Sequence, residues 1–94
     1  MIPAHRIIPG ILAQIVRPAP LSAEKVEFAW RTSVGPAVSR ATAVSLDPHG
    51  TLRVTAQDPQ WRREVERSLG LIRSRLDTLL GPDVILQVEI TCNG

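Results

Sequence analysis

The chain has few of the residues that build disulfides, metal clusters and base-stacking surfaces. Cysteine occurs once, as Cys92, which excludes an intramolecular disulfide and a zinc site made of several cysteines. Aromatic residues make up 3% of the 94 residues, and tyrosine is absent. A protein that binds nucleic acid by stacking bases on aromatic rings would have little material for that here.

Long hydrophobic runs are missing as well. No apolar stretch approaches the roughly 18 residues that a membrane-spanning helix needs. The apolar segment near the N-terminus is interrupted by Pro9-Gly10, and no cleavage site of small residues follows it. We therefore predict neither a signal peptide nor a membrane partner, and we expect a cytoplasmic protein.

Lysine is nearly absent, and arginine takes its place. Ten arginines and one lysine stand against nine acidic residues, for a formal net charge of +2. The planar guanidinium group can bind a phosphate or a carboxylate through two hydrogen bonds. The arginine excess therefore favours a phosphate-binding surface, although a weak one.

The remaining composition is that of an ordinary folded domain. Hydrophobic residues make up 44% of the chain and charged residues 21%, which argues against intrinsic disorder. A chain of this length has room for one hydrophobic core. We expect a single domain over residues 1–94, with a helix and a proline-rich connector in residues 1–20 and the core of the fold in residues 21–94.

The first part of the chain predicts two helices. Residues 4–16 favour a helix, which the Arg-Pro-Ala-Pro connector of residues 17–20 ends. Ser22 is a residue type that caps a helix, and the apolar spacing after it predicts a helix to about Val34. Gly35-Pro36 ends this second helix, because glycine suits the position after a helix and proline cannot continue it.

The second part predicts a β-hairpin, one long helix and a final strand. Period-two alternation indicates strands over residues 41–46 and 51–56, with an Asp-Pro-His-Gly turn between them. Asp58-Pro59 starts the longest helix, Gly81-Pro82 ends it, and residues 84–90 alternate as the last strand. The long helix carries one continuous apolar stripe of Trp61, Val65, Leu69, Ile72, Leu76, Leu79 and Leu80.

The predicted order of elements, α-α-β-β-α-β, indicates an α+β fold. One face of a three-stranded sheet would pack against the apolar stripe, which gives a two-layer α/β sandwich. The other face, with Arg53 and Glu89, is expected to be solvated. Trp30 and Trp61 lie on apolar helix faces and are expected in the core, and Gly35 is expected to have a structural role at the helix end.

No catalytic or metal-binding constellation is present in the sequence. His5 and His49 lie far apart without a nucleophile motif beside either, and Cys92 falls at the outer end of the last strand. Glu64 and Glu66 lie on a helix surface, where arginines at helical spacing can pair with them. We therefore predict a non-enzyme with no catalytic residues, no metal, no cofactor and no small-molecule substrate.

The arginines of the long helix allow two interpretations. In the first, they form ion pairs on an ordinary solvated helix face. In the second, they join arginines from the hairpin side in a modest phosphate-contacting surface, whose binding would be weak and salt-dependent. The residues of this candidate nucleic-acid surface are Arg40, Arg53, Arg62, Arg63 and Arg67.

A second candidate surface is apolar. Phe28 falls on the side of its helix opposite Val26 and Trp30, so it either packs beneath the N-terminal helix or is exposed to a partner. With Ile8 and Leu12 it would form an apolar patch for binding a partner.

Taken in order, these features resemble a known family. The second helix carries Trp30-x4-Gly35, a segment Ala-Val-Ser-Arg-Ala-Thr leads into the first strand, Gly-x-Leu-x-Val spans Gly50 to Val54, and Asp-Pro-Gln-Trp ending at Trp61 opens the long helix. This pattern, over about residues 7–91, resembles the DciA family of bacterial proteins.

The resemblance implies a KH-like fold and a role in DNA replication, where the protein helps to load or activate the DnaB-type replicative helicase. It also implies weak binding of single- or double-stranded DNA, with the long helix and the hairpin as the candidate surface. The chain departs from true K-homology domains because it has no Gly-x-x-Gly loop to hold the nucleic-acid backbone.

Two other functions stay open. The first is a protein-interaction module without affinity for nucleic acid, which would use the apolar patch. The second is a KH-like RNA-binding domain, which the missing Gly-x-x-Gly loop disfavours.

Overall fold

Helices and a small mixed sheet make up the fold. A computed structural model of the chain describes residues 21–93. The predicted helix over residues 4–16, with Ile8 and Leu12, and the connector of residues 17–20 lie outside the described residues. The elements are α1 (Ala23–Val34), α2 (Pro36–Arg40), β1 (Thr42–Leu46), β2 (Thr51–Ala56), α3 (Pro59–Arg67), α4 (Leu69–Leu80) and β3 (Gln87–Cys92). The predicted α+β class is confirmed.

Local signals set both ends of α1. The Ser22 side chain accepts a hydrogen bond from the backbone N–H of Lys25 at 3.1 Å, which satisfies one of the free donors of the first turn. Gly35 ends the helix with a φ of +85°, a conformation that costs glycine little and other residues more. Pro36 then starts α2 at once. The boundaries predicted from these residues are confirmed.

The prediction of one long helix over residues 59–80 is wrong, because the structure has two helices, α3 and α4, separated at Ser68. Ser68 has φ −101° and ψ 8°, outside the helical region. Its N–H is shared between the carbonyls of Glu64 and Val65, each 3.2 Å away. Serine and the nearby Gly70 are poor residues for a helix interior. Val65 and Ile72 are nevertheless buried on either side of the break, so the apolar spacing continues across it.

The sheet has the order β1-β2-β3, with β1 antiparallel and β3 parallel to β2. The antiparallel pair is joined by a tight turn in which the Asp47 carboxylate accepts hydrogen bonds from the N–H groups of His49 and Thr51, at 2.9 and 3.0 Å. This is the local pattern that favours aspartate in turns. The parallel pair requires a crossover connection, which α3 and α4 supply.

The last strand begins later than the alternation of residues 84–90 predicts. In the structure β3 starts at Gln87, and the side chain buried ahead of it belongs to Ile85. Leu86 is 65% exposed, although the alternation placed it inside. The cause is an irregular backbone just before the strand, where the N–H groups of Leu86 and Gln87 both donate to the carbonyl of Gly50, at 2.8 and 3.2 Å. Two neighbouring side chains, Leu86 and Gln87, are therefore both exposed, and Ile85 is the buried side chain ahead of the strand.

One face of the sheet packs against the helices, and Trp30 is the largest fully buried side chain. Trp61 is only half-buried, so its predicted core position is wrong. It lies in the first turn of α3, and the helix places a buried side chain in the core only at Val65. The core cluster consists of Val26, Ala29, Trp30, Leu52, Val54, Val65, Ile72, Leu76, Leu79, Leu80 and Ile85.

Candidate nucleic-acid interface

Arg53 stands on the solvated face of the sheet between two carboxylates. Its Nη2 lies 3.5 Å from Oδ2 of Asp47, and its Nε lies 3.7 Å from Oε2 of Glu89. Glu89 is the partner of Arg53 in the parallel register of β2 and β3, so strand pairing places the two side chains side by side. The guanidinium group is exposed, and these contacts neutralise much of its charge without contributing much stability.

Two arginines of α3 are also paired. The Nε of Arg62 lies 3.5 Å from Oε1 of Glu66, and Nη1 of Arg67 donates a hydrogen bond of 3.1 Å to Oε1 of Glu64. These spacings of four and three residues are those at which side chains meet on a helix surface. For Arg62 and Arg67 the geometry is therefore that of a solvated helix face with local ion pairs.

Arg40 and Arg63 differ from these three residues. Both are exposed, and within residues 21–93 neither has a carboxylate at salt-bridge distance. Arg40 ends α2 and borders a shallow cavity that Gln57 and Asn93 also line. Because Gln57 lies just before α3, Arg40 and the first turns of α3 are at the same end of the sheet. We name Arg40, Arg62 and Arg63 the basic end.

The five candidate arginines do not share one face. Leu52 and Val54 of β2 are buried beneath the helices, and side chains alternate along a strand. Arg53 between them therefore faces the opposite side, away from α3. The surface expected from the sequence divides into the basic end, with Arg67 further along α3, and an isolated Arg53 across the sheet.

Arg73 and Arg75, which are not among the five candidate arginines, donate hydrogen bonds to backbone carbonyl groups in other parts of the chain. Nη2 of Arg73 donates to the carbonyl oxygens of Ile85 and Leu86, at 2.9 and 3.4 Å. Nη1 of Arg75 donates to the carbonyl oxygen of Ser33 at 3.1 Å, in the last turn of α1, where a cation also complements the helix dipole. These partners are far away in sequence, so no local pattern points to them.

The apolar partner-binding patch is described only in part. Phe28 is half-buried on α1, and its proposed companions Ile8 and Leu12 lie outside the described residues. Large apolar side chains that are exposed in the described part of the chain are Leu21, Leu71 and Leu86.

The titratable groups of the described residues form no metal cluster, and Asp47 has a shifted pKa. No group of three or more His, Cys, Asp and Glu side chains that could hold a metal occurs within residues 21–93. The pKa of Asp47 lies below its ordinary value, first because the N–H of Thr51 donates to the carboxylate and further because His49 and Arg53 lie beside it. Asp47 thus acts as a turn-forming residue. None of the helices in the described range is long and apolar enough to span a membrane.

Comparisons with known proteins give no family assignment. No protein-family model matches the chain, and a search of curated proteins finds no significant relative.

Proposed function

We propose that this protein is a non-enzymatic accessory factor of bacterial DNA replication, similar to the DciA family. It helps to load or activate the DnaB-type replicative helicase in the cytoplasm, and it binds DNA weakly through the basic end. The proposal is supported by the residue pattern from Trp30 to Trp61 and by the places that three of its members occupy: Trp30 is buried, and Gly35 and Gly50 have positive φ.

The observation that carries the DNA-binding part is the pair of exposed arginines without a carboxylate neighbour among the described residues. A phosphate that approaches Arg40 or Arg63 meets a full positive charge, whereas at Arg53 or Arg67 it must compete with a carboxylate. Two or three neutralised phosphates give a slope of log K against log salt of about −1.4 to −2.1 on single-stranded DNA. Binding of that kind is weak and disappears at high salt.

The helicase-directed part is tested by a loading assay. A purified DnaB-type helicase is given circular single-stranded DNA that carries an annealed labelled strand, with and without this protein. We expect a faster release of the labelled strand when the protein is present, and capture of the helicase by the immobilised protein. Unchanged release together with no capture would overturn the proposal.

The second candidate, a protein-interaction module without affinity for nucleic acid, is favoured by two apolar side chains that the core does not fully cover: Phe28 is half-buried on α1, and Leu21, just before α1, is exposed. It predicts that Phe28→Ala and Ile8→Asp weaken helicase capture while DNA binding is absent in all variants. The RNA-binding alternative predicts tighter binding to an RNA oligonucleotide than to DNA of the same sequence.

A further inference from the structure

Strand β1 forms one edge of the sheet within the described residues, and its free edge presents unpaired backbone groups. Two backbone hydrogen bonds show which residues of β1 face outward: the N–H of Asp47 donates to the carbonyl of Thr51, and the N–H of Gln57 donates to the carbonyl of Ala41, at 3.0 and 2.8 Å. Antiparallel pairing alternates between bonded and non-bonded residues. The odd-numbered residues of β1 therefore bond to β2, and the even-numbered residues point their N–H and C=O groups away from the sheet.

The sequence of β1 does not protect this edge. Native proteins commonly blunt an exposed edge with a charged side chain, a proline or a bulge, but the strand Thr-Ala-Val-Ser-Leu contains no charge and no proline, and its pairing with β2 is continuous. A cavity of about 370 Å³ between the start of α1 and the strand, lined by Leu21, Val26 and Leu46 among others, adds apolar surface next to the edge.

Opposite charges flank the two ends of the strand. At the Thr42 end, Arg31 lines a second cavity together with Thr42 and Glu27, and Arg40 lies two residues before Thr42. Neither arginine has a carboxylate at salt-bridge distance within the described range. Glu27 also lines the first cavity, near the middle of the strand. At the Leu46 end, Glu24 lies in the first turn of α1, and Asp47 follows the strand with Arg53 at 3.5 Å from its carboxylate on the outer face. A surface that is basic at one end and acidic at the other complements a copy of itself turned end for end.

We propose that two copies of this chain associate through their β1 edges, antiparallel and about a two-fold axis at Val44, to form a continuous six-stranded sheet. Val44 then exchanges both backbone bonds with Val44 of the second copy, and Thr42 does so with Leu46 of the second copy. The axis brings the Thr42 end of each strand, with Arg31 and Arg40, to the Leu46 end of the other, with Glu24 and Asp47, as an isologous interface requires. The paired edge is five residues long, so the dimer is weak and depends on concentration.

The test is sedimentation velocity of the full chain over a wide range of concentrations, with variants at exposed positions of the outer sheet face. Ala43→Lys combined with Ser45→Lys sets lysines opposite each other across the proposed axis, where like charges destabilise strand pairing. Gln87→Lys combined with Thr91→Lys adds the same charge on the same face of β3 and is the matched control, since all four side chains are exposed. Circular dichroism verifies that both variants are folded.

We expect the wild type and the β3 variant to form dimers with rising concentration, and the β1 variant to dimerise at least tenfold more weakly. Hydrogen exchange of the outward Val44 and Leu46 amides should slow as the dimer forms. A wild type that stays monomeric, or equal dimerisation of the two folded variants, would overturn the proposal. So would Val44 and Leu46 amides that are protected at every concentration, because a segment of the same chain would then occupy the edge.

Discussion

The partly buried hydrogen-bond chain from Trp30 through Thr42 to Val38 offers the sharpest test of how the fold is stabilised. The indole N–H of Trp30 donates to Oγ1 of Thr42 at 2.9 Å, and the Thr42 hydroxyl donates to the carbonyl of Val38 at 2.7 Å. One hydroxyl therefore ties α1 to β1 and α2. Trp30 is 2% exposed, so its N–H has little access to bulk water when this partner is removed.

Thr42→Val keeps the shape of the side chain and removes the hydroxyl. A buried donor left without a partner costs about 1–3 kcal/mol, and the lost bond to Val38 costs about 1 kcal/mol, so we expect a loss of about 2–4 kcal/mol in the free energy of unfolding. For a chain of 94 residues the total free energy of unfolding is about 5–14 kcal/mol. Thr42→Ser retains the hydroxyl and should lose less than about 1.5 kcal/mol.

Urea unfolding followed by far-ultraviolet circular dichroism measures these changes, and a double-mutant cycle with Trp30→Phe isolates the bond between the two side chains. In the Trp30→Phe background no indole N–H is left without a partner, so Thr42→Val should cost about 1–3 kcal/mol less than in the wild type. Equal costs of Thr42→Val in the two backgrounds would refute the reasoning.

Three further predictions concern local backbone and polar groups. Gly50→Ala should destabilise the protein more than Gly35→Ala, because both have positive φ but an added Cβ at residue 50 would lie 2.9 Å from Cγ of Leu86, while at residue 35 it would meet nothing within 4 Å; thermal unfolding of both variants ranks them, and the reverse order would contradict the assignment. The lowered pKa of Asp47 means that its contribution to stability is present above the unfolded-state pKa of about 3.9 and is lost as pH falls through the lower folded-state pKa. The stability difference between wild type and Asp47→Asn should therefore shrink below about pH 4 in urea titrations, and a difference that grows there would contradict the sign. Ser33→Ala should not destabilise the protein and should stabilise it by up to about 1 kcal/mol, since the buried Oγ of Ser33 has no hydrogen-bond partner among residues 21–93; a loss above about 1 kcal/mol in urea unfolding would show that the hydroxyl is bonded.

The sequence predicts the features that depend on neighbouring residues. Ser22 and Asp58 cap helices because their side chains reach an N–H three residues later, and Gly35 ends a helix through its own φ. The break at Ser68 was missed because buried residues on both sides keep helical spacing. The late start of β3 was missed because it depends on a carbonyl of Gly50, which is distant in sequence.

In the candidate site, too, features that depend on neighbouring residues were predictable, and features that depend on distant residues were not. The ion pairs of Arg62 and Arg67 were predictable because their partners lie within one helical turn. The separation of Arg53 from these residues depends on which face of the sheet the helices cover. Within residues 21–93, Arg40 and Arg63 have no carboxylate at salt-bridge distance. This depends on how α2 and α3 meet the ends of the strands, and no local sequence pattern predicts it.

The most direct test of the central claim is the salt dependence of DNA binding by the basic end. Fluorescence anisotropy of a labelled single-stranded oligonucleotide is measured over a salt series for the wild type, for Arg40→Ala combined with Arg63→Ala, and for Arg53→Ala as the matched control on the opposite face. We predict weak wild-type binding with a slope of about −1.4 to −2.1, and a double variant whose slope is shallower by about 1.4. Arg53→Ala should bind within twofold of the wild type. Wild-type binding that is absent at low salt or independent of salt, or an equal loss in the double variant and in Arg53→Ala, would contradict the account.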